Sequence, residues 1–226
     1  MKPNPYDIEH TLPEELPASP MPLFRAWFDE AREKKIQPNP NAMALATVDR
    51  DGRPSARTVL CKGIDEAGGR ITFFTNRNSR KGKAIAENQR VAVLFHWDAF
   101  DRQARFEGVV TPTSDEESDA YFHSRRLESR IGAWASDQSE PIESRDALLA
   151  KVVDVMTRYG VNLDLNEETH IPRPPHWGGY HITADRIELW VGGPGRVHDR
   201  AVWTRDVQVE SGQLACSDWQ STRLQP

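Results

Sequence analysis

The chain has almost no cysteine: Cys61 and Cys216 are its whole complement in 226 residues. Two thiols cannot build a disulfide framework or a cysteine-ligated metal site. Long hydrophobic runs are missing too, since no apolar stretch approaches the ~20 residues a membrane helix needs. The first residues, Met1-Lys2-Pro3-Asn4-Pro5, lack the apolar core of a secretory signal. Positive charge is not in excess, with 29 Lys and Arg against 34 Asp and Glu and a net charge of -5. General attraction to nucleic acid or to an anionic membrane is therefore not expected, and any phosphate site must be local. The 7 histidines form no His-Glu-x-x-His zinc pattern. No Gly-x-Ser-x-Gly elbow is present, nor a glycine-rich Walker or dinucleotide fingerprint. The expectation is a protein of the reducing cytoplasm, with no metal.

What is present suits a globular fold rich in turns: 38% hydrophobic and 28% charged residues, Pro 16 and Gly 14. Residues 1–19 are acidic and Pro-rich without period, which predicts a mobile arm ahead of one domain over 20–226. From Pro22, the residues Leu23, Phe24, Trp27, Phe28 and Ala31 fall at helical spacing, predicting an amphipathic helix that ends before Pro38. Strand signals follow at Ala42–Val48, Ser55–Lys62, Ile71–Thr75, Val91–Phe95 and Arg105–Val110, with turn signals at Asp51-Gly52 and at 65–69. Ser114 to Glu117 has the capping-box spacing, predicting a helix that carries Tyr121, Phe122 and Arg125. A second helix is predicted over Ser144–Tyr159, with an apolar face of Leu148, Leu149, Val152, Val153 and Met156, closed by Gly160. After a Pro-rich loop at Ile171–Pro175, strands return at Tyr180–Ile182, Ile187–Trp190 and Ala201–Thr204. Strands on both sides of the helices predict one mixed α+β domain, mainly β, built as an antiparallel barrel or sandwich.

Four groups of residues carry possible chemistry. The segment Asn76–Lys83 follows a strand and opens a short helix, where backbone N–H groups and several cations suit a phosphate; a solvated basic turn fits equally well. Arg57 and Lys62 lie five apart on one predicted strand, so they face opposite ways and serve two ligands, one ligand, or none. Tyr121, Arg125 and Ser129 recur every four residues, and a continuous helix would align them as donors to a phosphate monoester. A polar helix surface is the plainer account. Arg196, His198 and Arg200 alternate after a glycine-rich turn. Alternation on a strand would crowd three cations or near-cations on one face, a costly arrangement unless an anion or a π-system lies there.

The combination resembles the pyridoxine/pyridoxamine 5'-phosphate oxidase family. The matching blocks are Asn41-Ala42-Met43 with Ala46–Asp49, Arg57–Lys62, Phe74-Thr75-Asn76 with Ser79-Arg80-Lys81, Tyr121–Arg125, Ile131–Ser136 with Gln138-Ser139, Trp177-Gly178-Gly179, Ile187–Trp190 through His198-Asp199-Arg200, and the ending Arg223–Pro226. They run in order over residues 20–226. The resemblance implies an FMN-binding split β-barrel around an antiparallel Greek-key sheet, and a homodimer with FMN in clefts between subunits. It implies that the FMN phosphate meets Arg57, Arg80 and Lys81. The remaining flavin contacts would come from Thr58, Val59, Leu60, Cys61, Lys62, Phe74, Thr75, Gln103, Gln138, Ser139, Trp190 and Arg200. It implies a substrate phosphate held by Lys62, Tyr121, Arg125 and Ser129, with Arg196 and His198 against the pyridine ring as the catalytic pair. The implied reaction is oxidation of pyridoxine or pyridoxamine 5'-phosphate to pyridoxal 5'-phosphate by dioxygen, with release of hydrogen peroxide.

Two departures qualify the resemblance. Residues 1–19 lack the Arg-Arg-x-Tyr segment with which such enzymes often cover the substrate. Pro17–Met21 is also similar to flavin oxidases of phenazine biosynthesis. Those relatives typically lose the lysine and the tyrosine–arginine pair kept here as Lys62, Tyr121 and Arg125. A flavin oxidase of another ring substrate and a non-catalytic flavin- or pyridoxal-phosphate-binding protein stand as the competing readings.

Overall fold

The computed structural model describes residues 11–161, 169–210 and 213–226. Its first half is a meander of short strands: β1 (Ala42–Val48), β2 (Pro54–Leu60), β3 (Gly63–Asp65), β4 (Arg70–Asn76), β5 (Arg90–Trp97) and β6 (Arg102–Pro112). One long strand, β7 (Trp177–Val191), returns through the sheet, followed by β8 (Asp199–Thr204), the small hairpin β9 (Val207–Glu210) and β10 (Gln213–Cys216), and the edge strand β11 (Gln220–Leu224). Every pairing is antiparallel.

The sheet runs β11-β8-β7-β6-β5-β1-β2, and β4 joins it on β7. Strand β7 pairs with β6 along one edge, and with β4 and then β8 along the other. The path β4-β7-β6-β5-β1-β2 therefore curls until β2 lies beside β4. These two strands touch but share no ladder, so the barrel is left open at that seam. That open seam is where the candidate site lies.

Sequence patterning read β7 as two strands, whereas it is one strand of 15 residues with a bulge. The register steps from Glu107↔Arg186 to Gly108↔Ala184, leaving Asp185 as the extra residue. A bulge reverses side-chain parity, so Ile182 and Ala184 face the core before it and Ile187, Leu189 and Val191 after it. The step also requires glycine at 108, where a Cβ would lie 2.1 Å from the Thr183 carbonyl oxygen.

Helix α1 (Met21–Glu33) plugs the barrel. Its i, i+3, i+4 face puts Phe24, Trp27, Phe28 and Ala31 into the core. Phe24 packs on Phe95 and Phe106 with centroids 5.1 and 4.7 Å away. Burial of each such ring contributes about 1.5–3 kcal/mol. Helices α2 (Arg80–Glu87), α3 (Asp115–His123), α4 (Leu127–Ala135) and α5 (Arg145–Arg158) lie outside the barrel. No residue of α5 is buried; Leu149 and Val153 of its predicted apolar face are exposed.

The expected mobile arm needs correction over its described part. Residues 1–10 lie outside the described residues, but residues 11–19 are tied to the barrel. Leu12 is buried in the core, its N–H donates to Asp199 Oδ2 at 2.8 Å, and the Pro17 carbonyl accepts from Trp203 Nε1 at 2.8 Å. Two leucines, Leu12 and Leu16, and a few anchoring hydrogen bonds are too weak a pattern to stand out among prolines and acids.

Candidate functional site

A cleft of about 670 Å³ opens at the β2/β4 seam, floored by residues 57–60 and 74–76 and walled by α3 and α4. Arg57 is held rigid at its floor. Its guanidinium donates to the Leu45 carbonyl at 3.1 Å, Thr47 Oγ1 at 2.8 Å and Ser55 Oγ at 2.9 Å, none of them anionic. Burial, and then the nearby charge of Arg80, lower its pKa.

Lys62 lines the same cleft as Arg57. Their odd spacing suggested opposite faces, but β2 ends at Leu60 and the chain changes partner there. Cys61 N–H donates to the Asn41 carbonyl, and Lys62 N–H crosses to the Thr72 carbonyl at 2.8 Å. The break resets the alternation. Cys61 itself does not line the cleft; its thiol is buried behind it, and burial pushes its pKa up to about 11.

Helix α2 begins with Ser79, whose hydroxyl accepts from Gly82 N–H, and this places Lys81 inside. Lys81 is 9% exposed. Its ammonium donates to Thr75 Oγ1 at 3.1 Å, Ser79 Oγ at 3.3 Å and Gln138 Oε1 at 2.5 Å. Neutral acceptors do not compensate a buried charge fully. Burial, and then the charge of Arg57, push its pKa down to about 8.

Tyr121, Arg125 and Ser129 all line the cleft, though not as one helix face. Helix α3 ends at His123 and α4 begins at Leu127, so Arg125 sits on the connection. The bend groups the three residues where continuous helical spacing had been expected to. Tyr121 stacks on Phe74 (4.0 Å, 23°), and Phe74 lies nearly parallel to Trp177 (5.5 Å, 12°). Glycine at 179 permits this, because a Cβ there would stand 2.6 Å from the Phe74 ring. The Arg125 guanidinium rests 4.7 Å from the Trp177 ring centroid, with Nη1 buried and without a partner. Burial lowers its pKa.

Five cations, Arg57, Lys62, Lys81, Arg125 and Arg126, therefore line a cleft whose lining includes no carboxylate. Arg80 and Ser139 lie in an adjoining hollow of about 290 Å³, shared with Thr47 and Ser55, the partners of Arg57. Sequence reasoning missed Arg126, Gly132, Ala133, Ser136 and Trp177 as lining residues. Trp177 and Ser136 sat in recognisable blocks, but nothing local marked them as facing a cavity.

Gln103, Trp190 and Arg200 form a second group at the other end of β7, where β6, β7 and β8 bring them side by side. His198 packs on Trp190 with centroids 4.6 Å apart, and its Nδ1 accepts from Gly193 N–H. The expected strand alternation of 196, 198 and 200 does not form. Arg196 closes a 3-10 turn with φ +64°, and only Arg200 lies within β8. Arg200 is already paired, donating from Nε and Nη2 to Glu188 Oε1 at 2.9 and 2.6 Å. From Trp177, in the cleft, to Trp190 is 13 residues of strand, on the order of 40 Å at ~3.3 Å per residue. None of Gln103, Trp190, Arg196, His198 and Arg200 lines the cleft. Among the described residues no cluster of His, Cys, Asp and Glu is placed to hold a metal ion.

Comparison with known proteins gives a consistent result. Residues 28–159 match the family model of pyridoxamine 5'-phosphate oxidase, and residues 177–226 match that of the pyridoxine 5'-phosphate oxidase C-terminal dimerisation region. The pyridoxine/pyridoxamine 5'-phosphate oxidases of Burkholderia mallei and Burkholderia thailandensis are each 50% identical over 208 residues, 92% of this chain and 89% of theirs. The crystal structure of PhzG from Burkholderia lata 383, in complex with tetrahydrophenazine-1-carboxylic acid, aligns at a TM-score of 0.82 and 29% identity, covering 97% of this chain and 99% of that one. A pyridoxamine 5'-phosphate oxidase-related, FMN-binding protein from Nostoc punctiforme aligns at 0.65 and 17% identity over 91% and 98%, a likeness of fold alone. The split-barrel chain described here belongs to the pyridoxamine 5'-phosphate oxidase family.

Proposed function

We propose that the protein is a cytoplasmic, homodimeric FMN-dependent oxidase that converts pyridoxine and pyridoxamine 5'-phosphates to pyridoxal 5'-phosphate. Dioxygen is the acceptor, hydrogen peroxide is released, and the amine substrate also yields ammonia. The observation that carries this reading is the cleft of five cations without a carboxylate. Of the five only Lys81 is buried, and a buried cation is normally paired; its neutral contacts, and the Nη1 of half-buried Arg125 that has no partner among the described residues, ask for an anion. The set is divided between β2 and its end (Arg57, Lys62), the start of α2 (Lys81) and the α3–α4 connection (Arg125, Arg126), which suits two phosphates.

On this reading Arg57, Arg80 and Lys81 hold the phosphate of FMN, with residues 58–60, Lys62, Phe74, Thr75, Gln138 and Ser139 along the rest of the flavin. Lys62, Tyr121, Arg125 and Ser129 grip the substrate phosphate through charge-assisted bonds. Bound FMN supplies the two-electron acceptor that the side chains lack. The second group, with Gln103, Trp190, Arg196, His198 and Arg200, comes from the partner subunit, which the match of residues 177–226 to a dimerisation region supports. Arg196 and His198 then orient the pyridine ring and stabilise charge that develops on it.

The resemblance to PhzG supports a second reading, oxidation of a reduced phenazine carboxylate. A carboxylate monoanion leaves more of the Lys62–Tyr121–Arg125–Ser129 set unused than a phosphate does, so the phosphorylated pyridine is preferred. The test is flavin absorbance of the purified protein, bleached by pyridoxine 5'-phosphate without oxygen and restored with peroxide on admitting air. Bleaching by a dihydrophenazine carboxylate alone would select the second reading. A colourless protein unable to take up FMN would reject both.

A further inference from the structure

Helix α3 is capped on one side only. Ser114 Oγ accepts from Glu117 N–H at 3.1 Å, as a capping box requires. The Glu117 carboxylate, however, does not return to Ser114; it reaches into the sheet and meets His181 Nε2 at 3.0 Å. The other ring nitrogen, Nδ1, lies 2.9 Å from Thr72 Oγ1. His181 and Thr72 are direct cross-strand neighbours on β7 and β4, so the histidine stands on a rigid base. Either protonation state of the imidazole satisfies both neighbours: the neutral ring donates to Glu117 and accepts from the threonine, and the cation donates to both.

Each end of this chain of contacts is tied through the backbone to a residue of the proposed substrate grip. Tyr121 follows Glu117 by one helical turn, on the same face of α3. At the other end the Thr72 carbonyl accepts Lys62 N–H at 2.8 Å. The Lys62 ammonium in turn stands 5.9 Å from the Tyr121 ring centroid. We propose that Glu117, His181 and Thr72 form a positioning relay that seats Tyr121 against Lys62, and so sets the grip on the substrate phosphate. The inference rests on the function proposed above. None of the three residues lines the cleft, so they act through Tyr121 and Lys62 rather than on the substrate.

The test compares KM and kcat for pyridoxine 5'-phosphate in the FMN-loaded dimer. His181→Leu is expected to raise KM about tenfold, the worth of one well-placed hydrogen bond, while kcat at saturation and FMN retention stay within about twofold. Glu117→Leu, on the part-exposed helix, should match it without disturbing the sheet. Glu117→Gln, which keeps an acceptor oxygen, should restore KM to within about threefold. In a background that removes both ends of the grip, Lys62→Met with Tyr121→Leu, His181→Leu should raise KM no further, because both of the relay's targets are gone. Equal, additive effects in both backgrounds, or loss of FMN alongside the change in KM, would overturn the relay. A wild-type protein that binds FMN but is inert toward pyridoxine 5'-phosphate would instead reject the proposed substrate, and the relay's purpose with it.

Discussion

The two ends of β7 both gather cations, and they treat them in opposite ways. At the far end Glu188, 5% exposed, sits between Arg105 and Arg200, with a bond of 2.7 Å to the first and 2.6 Å to the second. Arg105 and Arg200 thus have a carboxylate partner within one chain. At the seam the side-chain donors of Arg57 and Lys81 meet only hydroxyls, an amide oxygen and a carbonyl, with no carboxylate among their partners in the described residues. Arginines near a carboxylate are explained by folding. A lysine buried among neutral acceptors is not, because desolvation makes it a net cost to the empty protein. The contrast separates charge that builds the fold from charge kept for a ligand.

Removing Glu188 should have the largest effect. Glu188→Leu strips Arg200 of its carboxylate partner and leaves Arg105 and Arg186 with Glu107 alone, and a broken buried pair costs about 3 kcal/mol or more, tempered here by the partial exposure of the three arginines. Urea denaturation should show that loss; an unchanged midpoint would mean the far-end group is not structural. Lys81→Met makes the opposite trade. It removes a poorly compensated buried charge, so the ligand-free protein should be at least as stable as the wild type. FMN affinity should fall by about 30-fold for the loss of one charge-assisted phosphate contact of ~2 kcal/mol, read by quenching of flavin fluorescence. Arg125→Met should raise KM for the phosphorylated pyridine by about tenfold and leave FMN binding unchanged. If FMN affinity fell instead, the division of the cleft into two phosphate grips would be wrong.

The sequence was most legible where structure is local. The boundaries of β1, the proline-led start of α1 and the serine caps of α3 and α5 follow from patterns a few residues long. Legibility failed where a long-range contact overrides parity. Asp185 looked like a break between strands because a bulge conserves the inward face by inverting the alternation. Lys62 looked opposed to Arg57 because the change of strand partner at Cys61 leaves no local mark. Tyr121, Arg125 and Ser129 were grouped for the wrong reason, a helix that in fact breaks between them. At the far end, Arg196, His198 and Arg200 were read as an alternating strand, and the left-handed turn at Arg196 prevents it. The grouping of residues into one cleft was legible only through family resemblance, since spacing alone left each group open.

The finest test of the comparison is pH, because Lys81 titrates within reach. Its pKa in the folded, ligand-free chain is about 8, against 10.5 for an ordinary lysine. Above 10.5 the residue is neutral folded or unfolded and costs nothing. As pH falls toward 8 the unfolded chain takes up a proton first, so stability is lost over that window and the full cost applies below it. The ligand-free protein should therefore become more stable as pH rises from 8 toward 10.5, as far as this residue is concerned. FMN affinity should move the other way, since a phosphate dianion binds the protonated lysine. Between pH 8 and 9.5 it should weaken on the order of tenfold. Lys81→Met should flatten that part of both profiles. A wild-type FMN affinity that held constant to pH 9.5 would mean that Lys81 carries no phosphate, and that the cations of the seam are not divided as proposed.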